Sequence, residues 1–248
     1  MCRRGPLPSV RDMTNTKNAV VTGASRGLGL ALARGLAADG WSLVIDARDG
    51  EALRAAAAGL PGAARLILLP GDVTDPAHRD DIARAAADLG GPDLLINNAG
   101  TLGASPLPAM ADYPIGELRD AFEVNVLAPI ALTQLLLPAL RRRGGAVLNI
   151  TSDAAVEPYA GWGGYGAAKA ALEQASNVLS AEENLVRVWW VDPGDLRTHM
   201  HQLAYPGEDI SDRPLPGSAV GAFKKIIAER LPSGRYRAAE LAPTGVPS

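Results

Sequence analysis

The sequence predicts an α/β fold, a doubly wound parallel β-sheet with helices on both faces, in a single domain spanning residues 18–248. Three observations lead there. Six short apolar runs lack the polar alternation of a half-exposed strand, so both faces of each are expected to be buried. A helical segment separates each run from the next, as in a sheet wound by crossovers. The first run closes on a glycine-rich turn that opens a helix. Right-handed crossovers are the common way to link such strands, and they leave a ligand crevice at the strand C-termini.

In chain order, AVVTG (19–23) is the first strand, followed by a helix with Leu28, Leu32 and Leu36 on one face. SLVID (42–46) is the second, then an alanine-rich helix from about Glu51. ARLILLP (64–70) is the third, and Asp75-Pro76 supplies start signals for the next helix. DLLINNAG (93–100) is the fourth. A long helical segment runs from Ile115 to Arg143 and stops at Gly144-Gly145 after three arginines. AVLNITS (146–152) is the fifth strand, Tyr165–Glu183 the next helix, and VRVWWVDPG (186–194) the sixth strand. Residues 199–217 break the rhythm with Pro, Gly and charge and read as a loop that forms a substrate lid. A helix and a short strand around Gly234–Ala238 end the pattern.

Composition narrows the function classes. At 248 residues with 47% apolar and 21% charged, the chain is long enough to bury a sizeable core. Its 24 Lys+Arg against 27 Asp+Glu leave a net charge of −3, which argues against a nucleic-acid partner, and 4% aromatics weakens any base-stacking role. The single cysteine, Cys2, excludes an internal disulfide and a multi-cysteine metal cage, and points to a reducing cytoplasm. No apolar core follows the charges of residues 1–17, so that stretch reads as a disordered leader rather than a signal peptide, with Met13 as a second candidate start. Gly, Pro or charge interrupts the apolar stretches before the ~20 residues of a bilayer span, so no membrane partner is expected.

The turn Thr22-Gly23-Ala24-Ser25-Arg26-Gly27-Leu28-Gly29 is the first candidate site. Glycines there let backbone amides approach a pyrophosphate at the positive end of the helix. The spacing G-x-x-x-G-x-G differs from the common G-x-G-x-x-G, so the turn by itself is equally readable as structural. The second strand ends in Asp46-Ala47-Arg48-Asp49, where an acid would hold a ribose diol or an arginine a 2′-phosphate. With Ala47 at the selecting position, Arg48 and Arg26 converge on a 2′-phosphate and NADP(H) is preferred. A register slip of one residue gives Asp46 the diol and makes NAD(H) the cofactor.

At this point the chain resembles the short-chain dehydrogenase/reductase family. The T-G-x-x-x-G-x-G turn is followed by Asn97-Asn98-Ala99-Gly100, Asn125, Ser152, Tyr165-Gly166-Ala167-Ala168-Lys169 as a Y-x-x-x-K signature, and Pro193-Gly194 with Thr198 beyond. The resemblance covers residues 18 to about 200, and its motifs are specific in combination. It implies a Rossmann-like fold and a hydride transfer between NADP(H) and a ketone or aldehyde, or the matching alcohol. It also implies a catalytic set of Asn125, Ser152, Tyr165 and Lys169. Tyr165 would protonate the carbonyl oxygen, Ser152 would hold it, and Lys169 would tune Tyr165 and bind the nicotinamide ribose. Asn125 would anchor a water leading to Lys169. The implied cofactor contacts are Gly23, Ser25, Arg26, Gly27, Leu28, Gly29, Arg48, Asp72, Val73, Asn98, Ala99, Gly100, Tyr165, Lys169, Pro193, Gly194, Leu196 and Thr198.

Elementary chemistry supports the pair at the centre. Tyr165 and Lys169 are four residues apart and share a helix face. An ammonium beside a phenol is expected to favour the phenolate and lower its pKa from about 10. Two further readings use the same residues: a reaction without net redox change (epimerisation, dehydration or cyclisation), and a non-catalytic module that senses NADP(H). Asp153, Glu157-Pro158, Trp162 and Asp195-Leu196-Arg197 depart from commoner members and bear on the substrate. His199 and His201 lack the company of a metal site, so no metal is expected. Arg141-Arg142-Arg143 fits the end of a helix dipole better than a dock for an acidic carrier delivering an acyl substrate. The segment 121–140 carries apolar residues beyond one stripe, consistent with the homodimer or homotetramer that the resemblance implies.

Overall fold

A computed structural model describes residues 16–241. Most of the expected leader, with Cys2 and Met13, lies outside the described residues. At the edge of the described chain the Lys17 carbonyl accepts a hydrogen bond from Ser42 N–H at 2.9 Å. The sheet has seven strands, one more than the six apolar runs, and every pairing is parallel. They are β1 (Asn18–Val21), β2 (Ser42–Ala47), β3 (Leu66–Pro70), β4 (Leu94–Asn97), β5 (Ala146–Ile150), β6 (Arg187–Asp192) and β7 (Gly234–Arg237). Their order across the sheet is β3-β2-β1-β4-β5-β6-β7. The reversal of direction falls between β1 and β4, where a crevice opens at the strand C-termini.

Both faces are buried, as the unbroken apolar runs require, and the side-chain period of two splits each strand between them. Val21, Ile45, Ile96 and Leu148 join one core with Leu32 and Leu36 of α1 (Gly27–Ala38), Leu53 of α2 (Gly50–Ala57), and Phe223 and Ile226 of α8 (Val220–Glu229). Val20, Val44, Leu95 and Val147 face the other way. They pack on Ile82 of α3 (Pro76–Asp88) and on Leu132, Leu136 and Leu140 of α5 (Ala128–Arg143). The i, i+4, i+8 spacing of those three leucines is the stripe that seats α5.

Local signals explain the boundaries. Asp49 caps α2 by accepting from Glu51 N–H and Ala52 N–H at 3.0 Å. Asp75 caps α3 in the same way, with Pro76 as the first helical residue. Gly144 ends α5 in the left-handed conformation at φ 57°.

The segment 115–143 differs from expectation in two respects. It divides into α4 (Ile115–Phe122), a π turn (Glu123–Leu127) and α5, because one extra residue is accommodated at Asn125. It is also 29 residues long and contains an 18-residue stretch of mean hydropathy 1.5, enough by length and composition for a membrane span, contrary to the expectation that no stretch is. Here its leucine stripe packs on the sheet. The expected lid loop is partly helical: α7 (His199–Ala204) begins where Thr198 Oγ1 accepts from His201 N–H at 3.1 Å. The remaining helices are α6 (Gly163–Glu182) and α9 (Ala238–Leu241).

Candidate active site

A crevice of about 1130 Å³ runs across the C-terminal ends of β1, β2, β4, β5 and β6. Every residue of the expected catalytic and cofactor-binding sets lines it except Gly29 and Asn125, and of the residues expected to bear on the substrate Glu157, Pro158 and Arg197 lie outside its lining.

At one end, the turn after β1 is moulded against the strands beside it. Gly23 has φ 66°, and a Cβ there would stand 2.8 Å from Ala99 Cα. At Gly29 a Cβ would strike the Asn98 amide and the Gly23 carbonyl. Thr22 Oγ1 accepts from the N–H groups of Asn98 and Ala99 at 3.0 Å, and Asn98 Nδ2 donates to the carbonyls of Thr22 and Gly23 at 2.9 and 3.1 Å. Asn98 thus clamps β4 to the turn. The start of α1 has no side-chain cap and no acid in its first turn, so its N–H groups are available to an anion. A pyrophosphate fits this cradle: small residues where a Cβ would collide, and an uncapped positive helix end.

Asp46 does not face the crevice as a free acid. It is 2% exposed, Oδ1 accepts from Gly23 N–H at 2.8 Å, and Oδ2 lies 3.1 Å from His78 Nε2. Burial raises the Asp46 carboxyl, while the hydrogen bond to Asp46 raises the His78 ring above its ordinary 6.5. Each partner therefore binds a proton more readily than it would in water. Arg26 and Arg48 are exposed on the same part of the wall. Burial would raise Asp72, but hydrogen bonds from Thr74 and the nearby Arg48 charge outweigh it and lower that carboxyl.

At the other end, Ser152 follows β5 and caps the short turn Asp153–Ala155, with Ala154 N–H donating to its Oγ at 3.2 Å. The glycines around Tyr165 let α6 press on its neighbours: a Cβ on Gly166 would lie 2.5 Å from the Ala154 carbonyl of that turn, and one on Gly163 would lie 2.6 Å from Sδ of Met110 in the segment after β4. This seats Tyr165, 8% exposed, beside Ser152. Lys169, one turn on and 3% exposed, donates from Nζ to the Ile150 carbonyl at 2.9 Å and stands 5.5 Å from the Tyr165 ring centre.

The electrostatics correct one expectation. Tyr165 is raised, not lowered: burial is the main cause, and the charges of Asp192 and Asp153 act in the same direction. Burial also depresses Lys169 to about 8. Desolvation outweighs the attraction of an ammonium for a phenolate. The phenol thus keeps its proton at neutral pH, the state that an acid delivering a proton requires.

Asn125 is fully buried at the π turn. Its Nδ2 donates to the Thr101 carbonyl at 2.8 Å and its Oδ1 accepts from Thr101 N–H at 3.2 Å. No hydrogen bond joins it to Lys169; it fixes the exit of β4.

Several residues escape sequence reading. Arg235 of β7 donates to Glu173 Oε1 at 2.9 Å and to the Ser152 carbonyl at 3.1 Å, and stands 3.7 Å from Asp192 Oδ2. Thr151 Oγ1 donates to the same Glu173 oxygen at 2.7 Å. Asp153 accepts from the hydroxyls of Ser152 and Tyr159. In the sequence Arg235 lies 83 residues from Ser152, and no motif marks it. Two of the three arginines in the last turn of α5 are engaged: Arg141 pairs with Glu183, and Arg143 grips both Asp93 oxygens at 2.8 Å.

A parallel sheet with an anion-binding turn at its switch point and a serine, tyrosine and lysine at the neighbouring strand end defines a nucleotide-dependent oxidoreductase. The comparisons give the family. The family profile described as short chain dehydrogenase matches residues 17–209, and the chain belongs to that family. Bovine (Bos taurus) sepiapterin reductase is 38% identical over 200 residues, covering 75% of this chain and 74% of that one. The rhamnolipids biosynthesis 3-oxoacyl-[acyl-carrier-protein] reductase of Pseudomonas aeruginosa is 36% identical over 175 residues, 66% of each. A short chain dehydrogenase from Shigella flexneri, solved in complex with NADP, superposes with a TM-score of 0.84 at 28% identity over 91% of this chain and 98% of that one.

Proposed function

We propose that the chain is an NADP(H)-dependent carbonyl reductase, interconverting a ketone or aldehyde with its alcohol. The observation that carries the reading is Tyr165, protonated and buried against Ser152, with Lys169 one turn away. The bound dinucleotide would supply or accept the hydride. Ser152 turns its one hydroxyl proton from Asp153 to the substrate carbonyl oxygen, Tyr165 Oη passes a proton to that oxygen or takes one from it, and Lys169 holds the ribose hydroxyls. Two facts support the phosphorylated cofactor. Both Asp46 oxygens are engaged by Gly23 and His78, while Arg26 and Arg48 remain exposed on the wall. The Shigella flexneri neighbour was solved with NADP.

The reading includes a cytoplasmic location and a homodimer or homotetramer, for which Leu127 and Leu135, exposed on the side of the 121–140 segment away from the sheet, offer an apolar surface. Incubation of the protein with NADPH and a panel of ketones and aldehydes tests the activity. Oxidation of NADPH with release of the alcohol is expected; bound NADPH that no carbonyl oxidises would overturn the reading.

A further inference from the structure

The two ends of the crevice carry opposite charge. Arg26 and Arg48 line the nucleotide end. At the substrate end the wall is Asp153, Tyr159, Trp162, Asp195, His201 and Tyr205, and the nearest cation in the lining is Lys169, buried beside Tyr165. Asp153 is the informative member. It is half-buried, it immediately follows Ser152, and its Oδ1 accepts the Ser152 hydroxyl at 2.9 Å while Oδ2 accepts the Tyr159 hydroxyl at 3.0 Å. Each carboxylate oxygen has a second lone pair, so both still have acceptor capacity.

We infer that the substrate is a vicinal amino alcohol, or the matching α-amino ketone, and that Asp153 recognises its ammonium group. The inference rests on the reductase reading and adds the substrate class to it. Ser152 is the residue that holds the substrate oxygen. In a vicinal amino alcohol the nitrogen is one carbon beyond the reacting carbon, and in the gauche form it sits beside its own oxygen. With that oxygen on Ser152, the nitrogen falls next to the carboxylate that already bonds Ser152.

Three features of the wall agree. Asp195 adds a second carboxylate, 60% exposed at the mouth and only loosely paired, with His201 Nδ1 and Arg213 Nε each 3.9 Å away. Trp162 stands 5.8 Å from the Tyr165 ring and 6.2 Å from Tyr205, which gives faces for an aryl group and for a cation. His201, 9% exposed, has no hydrogen-bond partner at Nε2 on the same wall. An anionic substrate would be repelled by Asp153, and a neutral one would leave Asp153, for which no salt bridge forms among the described residues, without a counter-charge. An ammonium at this place also offsets the negative charges of Asp153 and Asp192 that act on Tyr165. Oxidation of the amino alcohol removes a hydride from the carbinol carbon and a proton from its hydroxyl. The hydride goes to the oxidised nicotinamide dinucleotide, the proton leaves by way of Tyr165, and the product is the amino ketone.

Three alcohols built on one phenyl carbinol, the first two isosteric, test this by calorimetric binding to protein saturated with oxidised NADP. They are 2-amino-1-phenylethanol (cation), 1-phenylpropan-1-ol (neutral) and 3-hydroxy-3-phenylpropanoate (anion). The amine is expected to bind at least about tenfold tighter than the other two, the factor that one charge-assisted hydrogen bond supplies. Asp153→Asn keeps an acceptor for Ser152 but removes the charge, and is expected to close most of the gap between amine and neutral alcohol. Equal or tighter binding of the neutral or anionic compound overturns the inference. So does an Asp153→Asn protein that weakens all three alike, because that marks mere support of Ser152. Asp195→Asn, which leaves Ser152 untouched, carries the test if the first variant does not fold: selective loss for the amine supports the inference, and an unselective effect overturns it. Turnover separates the two levels. Oxidation of the neutral alcohol but not of the amine sinks this inference alone, whereas no turnover of any alcohol or its ketone by protein with bound dinucleotide sinks the reductase reading.

Discussion

Arg235 reaches 3.1 Å to the carbonyl of Ser152, so the last strand of the sheet grips the reacting serine from behind. The same guanidinium binds Glu173 and faces Asp192, whose charge raises Tyr165. Arg235 is therefore a positioning residue with an electrostatic reach to the phenol.

Arg235→Leu should lower stability by about 2 kcal/mol, the scale for lost hydrogen bonds to charged groups. It should also move the alkaline limb of alcohol oxidation to higher pH, because an unscreened Asp192 favours the protonated phenol further. Arg235→Lys should restore part of the pH profile. A stability loss with an unmoved profile would limit Arg235 to holding the fold; chemical denaturation and a pH–rate series separate the two.

Tyr165→Phe should lower kcat by about 10²–10⁴, the usual range for a lost general acid, while the dissociation constant for NADPH stays within a few-fold. Because burial holds the phenol above its ordinary 10, carbonyl reduction should be flat through neutral pH and alcohol oxidation should rise toward alkaline pH. Lys169, depressed to about 8, should add an inflection near that pH which Lys169→Met removes. Steady-state rates in both directions from pH 6 to 10 check the set.

His78 gives a prediction for stability. Its ring is raised above the ordinary 6.5 by the hydrogen bond to Asp46, so it binds its proton more tightly folded than unfolded. That contribution is fully present below pH 6.5 and is lost as pH climbs through the higher folded value. The melting temperature should fall as the pH rises above 6.5, and His78→Gln should flatten this slope while lowering the maximum. Thermal unfolding followed by circular dichroism at a series of pH values reads it.

The cofactor assignment is tested by charge reversal. Arg48→Glu should raise KM for NADPH at least about tenfold, as expected where a charge-assisted contact to phosphate is lost. It should leave KM for NADH nearly unchanged. An equal loss with both dinucleotides would show that Arg48 only shapes the wall.

Much of this was readable before any coordinates, for physical reasons. Strands buried on both faces leave unbroken apolar runs such as Leu94–Ile96, and a helix face four residues wide brings Tyr165 and Lys169 together. The same double burial explains the ambiguity at Asp46: where both sides of a strand are covered, no alternation says which way a side chain points. It points beneath the glycine turn, held by His78 from another helix. The π turn at Asn125 was hidden because one extra residue leaves the composition helical. The raised Tyr165 depends on burial and on Asp192 and Asp153, carried by separate parts of the chain. Arg235 belongs to the same class, since Glu173, Ser152 and Asp192 come from three other segments.

The strand order has a consequence for synthesis. β1 is flanked by β2, which follows it closely, and by β4, whose Leu94–Ile96 pair with Ala19–Val21 only after some seventy further residues. Until then one side of β1 offers its unpaired amides and carbonyls to any neighbour, and Thr22 lacks the amides of Asn98 and Ala99. A nascent chain released before Leu94 would carry a sticky, half-built sheet, open to aggregation rather than to ligand.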